Sequence, residues 1–487
     1  METLPDDVVV EILVRVTDVA ALFRCAATCK RCGLLVAEPS FLCRRWPEGV
    51  SRPSSLLGFF SVQQPREEPT EGSSTATPIS PYTPAPWSLP PRTGQPLPQF
   101  SWSPRHPGRA AHLAPRPSCW AQALRLRPSR PTPRRHGPSP LGQGNRFPNF
   151  PGPRGTQAGL LTSRRGLLVG RRVRLDEPGN GHMKTMILEL CDPIAGKSHR
   201  LPALKSNRHF RIEGCALLTG ADCCPAKRRE APAAFHSSFF KVLIIAADRD
   251  EPRHSLHVFT STESGSSWST PRECLDTLEL EHGTRLVSQK TSAIVCQGVA
   301  HWLFKNTSNL YALSVCGKTT EMSLTRLPVK PDQTPPILGV TDDGAPSLLR
   351  LDGQCTMLEI WTRRSDNMSG VSNTDRWHRT KMIELQPPEW GKMDQLQCLC
   401  AGETSGILLI KDNQEDMYIV DLQTGAMEAV TNWFRGIVMM AIPFEMDWPA
   451  FFTRHLANTR VKRSNPRGAL SKIGGVLSKI ADLLGDQ

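Results

Sequence analysis

Tyrosine is close to missing from this chain of 487 residues: there are three, and aromatic residues together make up 6% while 39% of the chain is apolar. That balance excludes a uniformly packed globular protein and describes folded regions diluted by sequence that builds no core. A secretory leader is lacking too, since Glu2, Asp6 and Asp7 stand where a basic stretch belongs and no small-residue cleavage site follows. The longest apolar runs, at 242–247 and 437–442, fall far short of the roughly 20 residues that a helical bilayer span needs. From these absences we expect no membrane span and residence in the cytoplasm, the nucleus or both.

A disulfide framework is also excluded. The 15 cysteines are an odd number scattered singly, which reads as reduced thiols that mostly act as small buried apolar residues. In such a compartment the Asn-x-Ser matches at Asn306 and Asn367 carry no weight.

Charge of one sign is missing from a long interior stretch. Between Ser73 and Arg174 there are 16 arginines and no lysine, aspartate or glutamate, so this region more than accounts for the net charge of +13. The remainder of the chain is slightly acidic, which makes nucleic acid an unlikely partner for the folded part. Residues 51–160 hold 23 of the 43 prolines. Such a composition cannot bury enough apolar surface to offset its ordering entropy, so 49–159 reads as a disordered Pro/Arg-rich linker.

Catalytic and ligand motifs are scarce. There is no G-x-S-x-G, no H-E-x-x-H and no paired-carboxylate constellation, and the histidines fall among loops. Gly196-Lys197-Ser198 lacks the glycine that a phosphate loop needs five residues earlier, where Cys191 stands, and Pro202 stops the helix that would hold the phosphate. A turn between strands explains it better. Cys29-x-x-Cys32, with Cys25 and Cys43 nearby, has no second cysteine or histidine pair to complete a zinc site, and the spacing of Cys25 and Cys29 puts both on one apolar helix face. Cys398 and Cys400 alternate along a strand. We therefore expect no catalytic residue, no cofactor and no metal.

Residues 1–48 form a helical unit. Pro5 and Asp6-Asp7 suit a first turn, and Val9, Ile12, Leu13 and Val16 recur at helical spacing. Thr17 and Asp18 precede a second apolar run, 19–29, and a third short piece around 34–37 ends before Pro39. Of the 43 residues from Leu4 to Trp46, 26 are apolar, with Val8, Val10 and Val14 lying off the main face of the first helix. A unit this small does not stabilise itself by core burial alone, so one face should close its core and the other should meet a partner.

From Leu160 to about residue 456 the pattern changes to short strands divided by tight turns, as in FFKVLIIAAD, SLHVFTSTESGSSWS and GILLIKDNQEDMYIVDLQTG. Units starting near Met186, Phe240, Ser292, Ile337 and Gln397 repeat at very roughly 50 residues, the range of four-stranded propeller blades. Five units are visible; a sixth is either lost in the Pro/Arg segment or completed by strands near 160–173 and 437–443. In the basic tail, 457–487, Leu470, Ile473, Leu477, Ile480 and Leu484 fall on one helical face. The fold class is thus α+β and multidomain: a small helical unit, a Pro/Arg segment and a mainly antiparallel β, propeller-like domain.

Leu4-Pro5, Glu11-Ile12-Leu13, Leu22-Phe23-Arg24-Cys25, Cys29-Lys30-Arg31 and Pro39-Ser40-Phe41-Leu42 together resemble an F-box, the helical motif that docks on the Skp-type adaptor of a cullin–RING ubiquitin ligase. Where the family usually has tryptophan after Cys-Lys-Arg, this chain has Cys32. The β units, with GVAHWL, EIWTRR and DRWHRTKMIEL, are similar to the F-box-associated domain of large plant F-box families. The resemblance implies a non-catalytic subunit of an SCF-type ligase. Leu4, Pro5, Val9, Ile12, Leu13, Val16 and Leu22 would bind the adaptor, through it cullin, and the β domain would bind an unidentified target protein. The competing reading is a propeller-like nucleic-acid or chromatin binder that uses the arginine-rich segment.

Arginine without lysine amid dense proline is also what a GC-rich frame yields when read out of register, and part of 90–158 fits that description. Transcript sequencing across this stretch should reveal a frame or splice junction; an unbroken in-frame match removes the idea.

Overall fold

A computed structural model of the chain describes residues 4–16, 19–47, 55–64, 100–104, 157–175, 183–193, 197–207, 210–223, 239–248, 254–262, 265–273, 285–286, 293–330, 335–363, 377–387, 395–430 and 437–453. The C-terminal amphipathic segment and most of the Pro/Arg segment, including nearly all of the suspected frame shift, lie outside the described residues.

Four helices open the chain: α1 (Asp6–Val14), α2 (Val19–Thr28), α3 (Lys30–Val36) and α4 (Pro39–Arg45). The third helix stops before Pro39, as the spacing suggests, and the fourth, which the sequence reading did not include, begins at that proline. Proline lacks a backbone N–H, but at the first helical position that donor has no partner within the helix, and Pro39 sits there. The placing of Cys29 is corrected. It lies at the end of α2 exposed to solvent, and its sulfur accepts a hydrogen bond from the Cys32 backbone N–H at 3.3 Å, capping α3.

The strand β1 (Leu56–Gln64) follows directly, inside the stretch read as linker, and β2 (Phe100–Pro104) pairs with it. The first blade contains β3 (Gln157–Arg164), β4 (Leu167–Leu175), β5 (Met183–Asp192), β6 (Lys197–Arg200) and β7 (Leu204–Asn207). The second has β8 (Phe210–Thr219), the short α5 (Gly220–Cys223), β9 (Phe240–Asp248), β10 (His254–Thr262), β11 (Gly265–Trp268) and β12 (Arg272–Glu273). The third holds β13 (Arg285–Leu286), β14 (Ile294–Cys296), β15 (Val299–Lys305), β16 (Leu310–Cys316) and β17 (Met322–Arg326). The fourth holds β18 (Ile337–Val340), β19 (Pro346–Leu351), β20 (Met357–Arg363) and β21 (Trp377–Glu384). The fifth holds β22 (Gln397–Ala401), β23 (Ile407–Lys411), β24 (Met417–Asp421) and β25 (Met427–Ala429). Finally β26 (Ile437–Glu445) pairs antiparallel with β1, so the two ends of the chain share a three-stranded sheet.

Neighbouring sheets touch through β26, β3, β8, β14, β18, β22 and β26 again, which closes a propeller-like ring. Five blades come from consecutive strands, and the sixth sheet joins β1 and β2 to β26. The first two blades begin a strand or two earlier than the sequence units suggested, at Gln157 and Phe210 rather than Met186 and Phe240. Each blade is covered on both faces, which is why the middle strands are apolar without alternation. In β9, Val242, Ile244 and Ala246 pack toward the first blade, while Leu243 and Ile245 pack toward the third. In β23, Ile407 and Leu409 face the closing sheet, and Leu408 and Ile410 face the fourth blade.

The helical unit shares a core with the ring. Leu22, Phe23, Leu35, Val36, Phe41 and Trp46 pack with Leu57 and Phe60 of β1, Leu160 and Leu168 of the first blade, and Trp448, Phe451 and Phe452 of a helical turn after β26. Ring centroids lie 5.4 Å apart for Phe23 and Phe452, 5.7 Å for Phe23 and Phe451, and 5.4 Å for Trp46 and Phe452. The apolar surplus of the first 46 residues is thereby absorbed largely within the molecule. Among the described residues no helix is long and apolar enough to cross a membrane.

Phe452 is fully buried at this junction. Phe452→Ala should therefore lower stability by about 3–5 kcal/mol. Thermal unfolding of the variant is expected to show loss of helical signal at or before loss of the β signal.

Candidate functional site

Two places combine exposure or polarity with defined geometry, one on the helices and one where the blades meet.

On the helices, α1 turns Val10, Leu13 and Val14 toward the core and leaves Leu4, Val8 and Ile12 on the outside at four-residue spacing. These three are 56%, 39% and 53% exposed; with Leu34 of α3 at 46% they make up four of the five exposed large apolar residues among those described. Leu34 lies one turn after Arg31, whose Nε donates to Asp6 Oδ1 at 2.6 Å and whose guanidinium also donates to the Leu4 carbonyl. Arg31 thus anchors the first turn of α1 on α3. On the other side Arg44 pairs with Glu11, and Arg45 donates to the Val16 carbonyl at 3.0 Å. Arg44 is also what draws the Glu11 carboxyl below its ordinary range.

The seven residues named for adaptor contact are divided by this arrangement. Leu4, Pro5 and Ile12 are exposed, Val9 and Val16 are half-buried against the core, and Leu13 and Leu22 lie inside it. Leu13 and Leu22 do not reach the surface because the core they close extends into the ring. Of the residues read from the sequence as off the main face, Val8 joins the exposed stripe, whereas Val10 and Val14 turn to the core.

At the ring the central residue is Arg164, at the end of β3. Its Nε and one terminal nitrogen donate to Asp222 at 3.0 and 2.6 Å, a two-pronged pairing, and its other terminal nitrogen pairs with Glu403. The Val295 carbonyl accepts from it at 3.2 Å. One guanidinium therefore joins the first blade to the second, third and fifth. Its neighbour Arg165 adopts φ 50° in the β3–β4 turn and reaches Asp222 and Asp447. Gly166 follows at φ 81°, where a Cβ would lie 2.6 Å from the Met446 side chain. The left-handed backbone there favours glycine.

The carboxylates are fully engaged. Asp222 also accepts from the Thr219 backbone N–H and hydroxyl, each at 2.8 Å. Glu445 accepts from the backbone N–H groups of Glu403, Thr404 and Ser405 at 3.0, 2.9 and 2.9 Å. Burial opposes the Asp222 charge, but Arg164 and Arg165 outweigh it and hold this carboxyl well below the usual range. Glu403 is pushed up to about 7 by burial, with Arg164 opposing and the Glu445 charge adding to the rise. The cavity beside them, lined by residues including Ser163, Arg164, Ala293, Glu403 and Glu445, measures about 30 Å³. That volume holds about two waters and no sugar or nucleotide.

None of these charged residues stood out in the sequence. Their only signal was an acid or arginine just past an apolar strand, as in LLTSRRG, LLTGAD, AGETSG and PFEMDW. The histidines are not confined to loops either. His254 and His257 on β10 and His301 on β15 are buried, and His301 meets Ser314 at 2.8 Å.

No family model matches the chain, and no curated protein does. Solved structures with a similar arrangement include the alpha-L-arabinanase of Penicillium chrysogenum, at 10% identity and a TM-score of 0.30, covering 56% of this chain and 80% of that one. Others are the NanB sialidase of Streptococcus pneumoniae (9%, TM-score 0.32, 58% and 61%) and the periplasmic gluconolactonase PpgL of Pseudomonas aeruginosa (11%, TM-score 0.31, 55% and 70%). The chain thus spans about three-fifths of the NanB structure's length.

Arg164→Ala leaves Glu403 without its cation and Asp222 with only the longer pairing to Arg165 at 3.4 Å, and should cost about 3–5 kcal/mol in denaturant unfolding. The pH dependence separates the two acids. A carboxyl held up in the folded state binds more protons there than in the unfolded chain, so Glu403 should lower stability as pH rises from about 4.5 to about 7. Asp222 acts in the opposite sense, and its contribution is lost as pH falls below its unfolded value of 3.8. Glu403→Gln should flatten the upper window and leave the acid limb in place.

Proposed function

We propose that the protein is a substrate-recognition subunit of an SCF-type ubiquitin ligase, docking a Skp-type adaptor through its N-terminal helices and a target protein through the ring. The observation that carries this reading is the apolar stripe of Leu4, Val8, Ile12 and Leu34, left outside by a helical unit that is otherwise packed. Exposed apolar side chains at helical spacing on one face are what a protein–protein contact buries. Leu4, Pro5 and Ile12, three of the positions that resemble the F-box contact set, lie on or beside it.

The shared core gives the reading a mechanism. A ligase subunit that does no chemistry accelerates transfer by holding its target near the ubiquitin-loaded enzyme, and a rigid join between dock and target domain preserves that geometry. Phe23, Trp46, Phe451 and Phe452 provide such a join.

The full chain should capture purified Skp-type adaptor, and Val8→Asp with Ile12→Asp should reduce capture at least about tenfold with unchanged thermal unfolding. Leu13→Asp, which puts a charge in the core, should lower unfolding temperature as well. Failure of the native chain to bind, or full binding by the surface double variant, contradicts the reading.

A further inference from the structure

Cys29 and Cys32 stand three residues apart at the start of α3, the first exposed and the second half-buried. The Cys29 sulfur already lies against this partner, accepting from the Cys32 backbone N–H at 3.3 Å. Hydrogen bonds from the backbone N–H and then the thiol of Cys32 draw the Cys29 pKa down, whereas burial first and Cys29 second raise that of Cys32. An exposed nucleophilic sulfur beside a half-buried one is the arrangement of a reactive dithiol. The buried thiols Cys191, Cys215, Cys296 and Cys398 are instead held protonated by burial.

The two residues between the cysteines are Lys30 and Arg31, and Arg31 is the anchor that holds Asp6 and the Leu4 carbonyl. We propose that Cys29 and Cys32 form a reversible dithiol–disulfide modification site that controls how α1 presents its exposed stripe. A disulfide brings the sulfurs to about 2.05 Å. This resets the first turn of α3, carries Arg31 with it and loosens the start of α1.

Hydrogen peroxide or an organic hydroperoxide is the oxidant. The Cys29 thiolate attacks the terminal peroxide oxygen, the O–O bond breaks, and the leaving hydroxide or alkoxide takes a proton to become water or an alcohol. The Cys32 thiolate then attacks the resulting sulfenic sulfur, the S–O bond breaks, and water leaves. With hydrogen peroxide, two thiols yield one disulfide and two waters, the sulfurs losing the two electrons that the peroxide gains. A small dithiol reverses the step by exchange.

The test uses the full chain treated with stoichiometric hydrogen peroxide. Peptide mass analysis should show a loss of about 2 Da assigned to the Cys29–Cys32 pair, reversed by dithiothreitol. Cys32→Ser should instead trap Cys29 as a sulfenic acid captured by dimedone, and Cys29→Ser, which retains a capping oxygen, should show neither product. Amide exchange over residues 4–13 should quicken in the oxidised chain. Absence of the bond, its persistence in both single variants, or unchanged exchange overturns the proposal. Its consequence for docking rests on the adaptor reading: oxidation should weaken adaptor capture about tenfold. A reduced chain that binds no adaptor sinks that reading while leaving the mass and exchange results to judge the disulfide.

Discussion

Phe23 and Trp46 near the start of the chain meet Phe451 and Phe452 near its described end, and this aromatic contact fixes where everything else sits. Two links reinforce it. The strand β1 pairs along β26, and Met446 donates its backbone N–H to the Ser55 carbonyl at 2.8 Å. Joining residues so far apart in sequence costs loop entropy, but that cost grows only slowly, by about 0.6 kcal/mol per doubling of loop length. Burial of several aromatic side chains, each contributing on the order of 1.5–3 kcal/mol, outweighs it. The helical unit therefore borrows its stability from the ring, and the ring uses the chain's beginning to complete its last sheet.

Polar and apolar chemistry divide the work. Where blades converge, Arg164, Asp222, Glu403 and Glu445 satisfy one another and nearby backbone groups, joining blades that do not follow one another in sequence. On the helices the charged pairs are exposed and individually weak. Arg31 with Asp6 and Arg44 with Glu11 act mainly to set the orientation of α1, and orientation decides which of its valines and leucines face outward. The proposed adaptor dock depends on that orientation, and the proposed thiol site acts on it through Arg31.

Much of this was legible in the sequence. Short apolar runs between turn residues marked the blades, and the helical spacing of Val9, Ile12, Leu13 and Val16 marked α1. Which side of α1 faces inward was not legible, because six of its nine residues at 6–14 are apolar and the register depends on a core contributed by residues 448–452. The sequence equally concealed β1. Leu56 to Phe60 is a short apolar run at the edge of a proline-rich region, and only pairing with β26, nearly 400 residues away, makes it a strand. The Arg164 network was hidden for a similar reason: its members are single charges at separate strand ends, and nothing local reveals that the ring brings them together.

Through the aromatic junction the helices and the ring should unfold as one cooperative unit. Native-state hydrogen exchange on the full chain tests it most directly. The most protected amides of α2 and α4 should open with the same free energy, and the same denaturant dependence, as those of β26. Exchange of the helices through a separate, less costly opening that leaves β26 protected would contradict it.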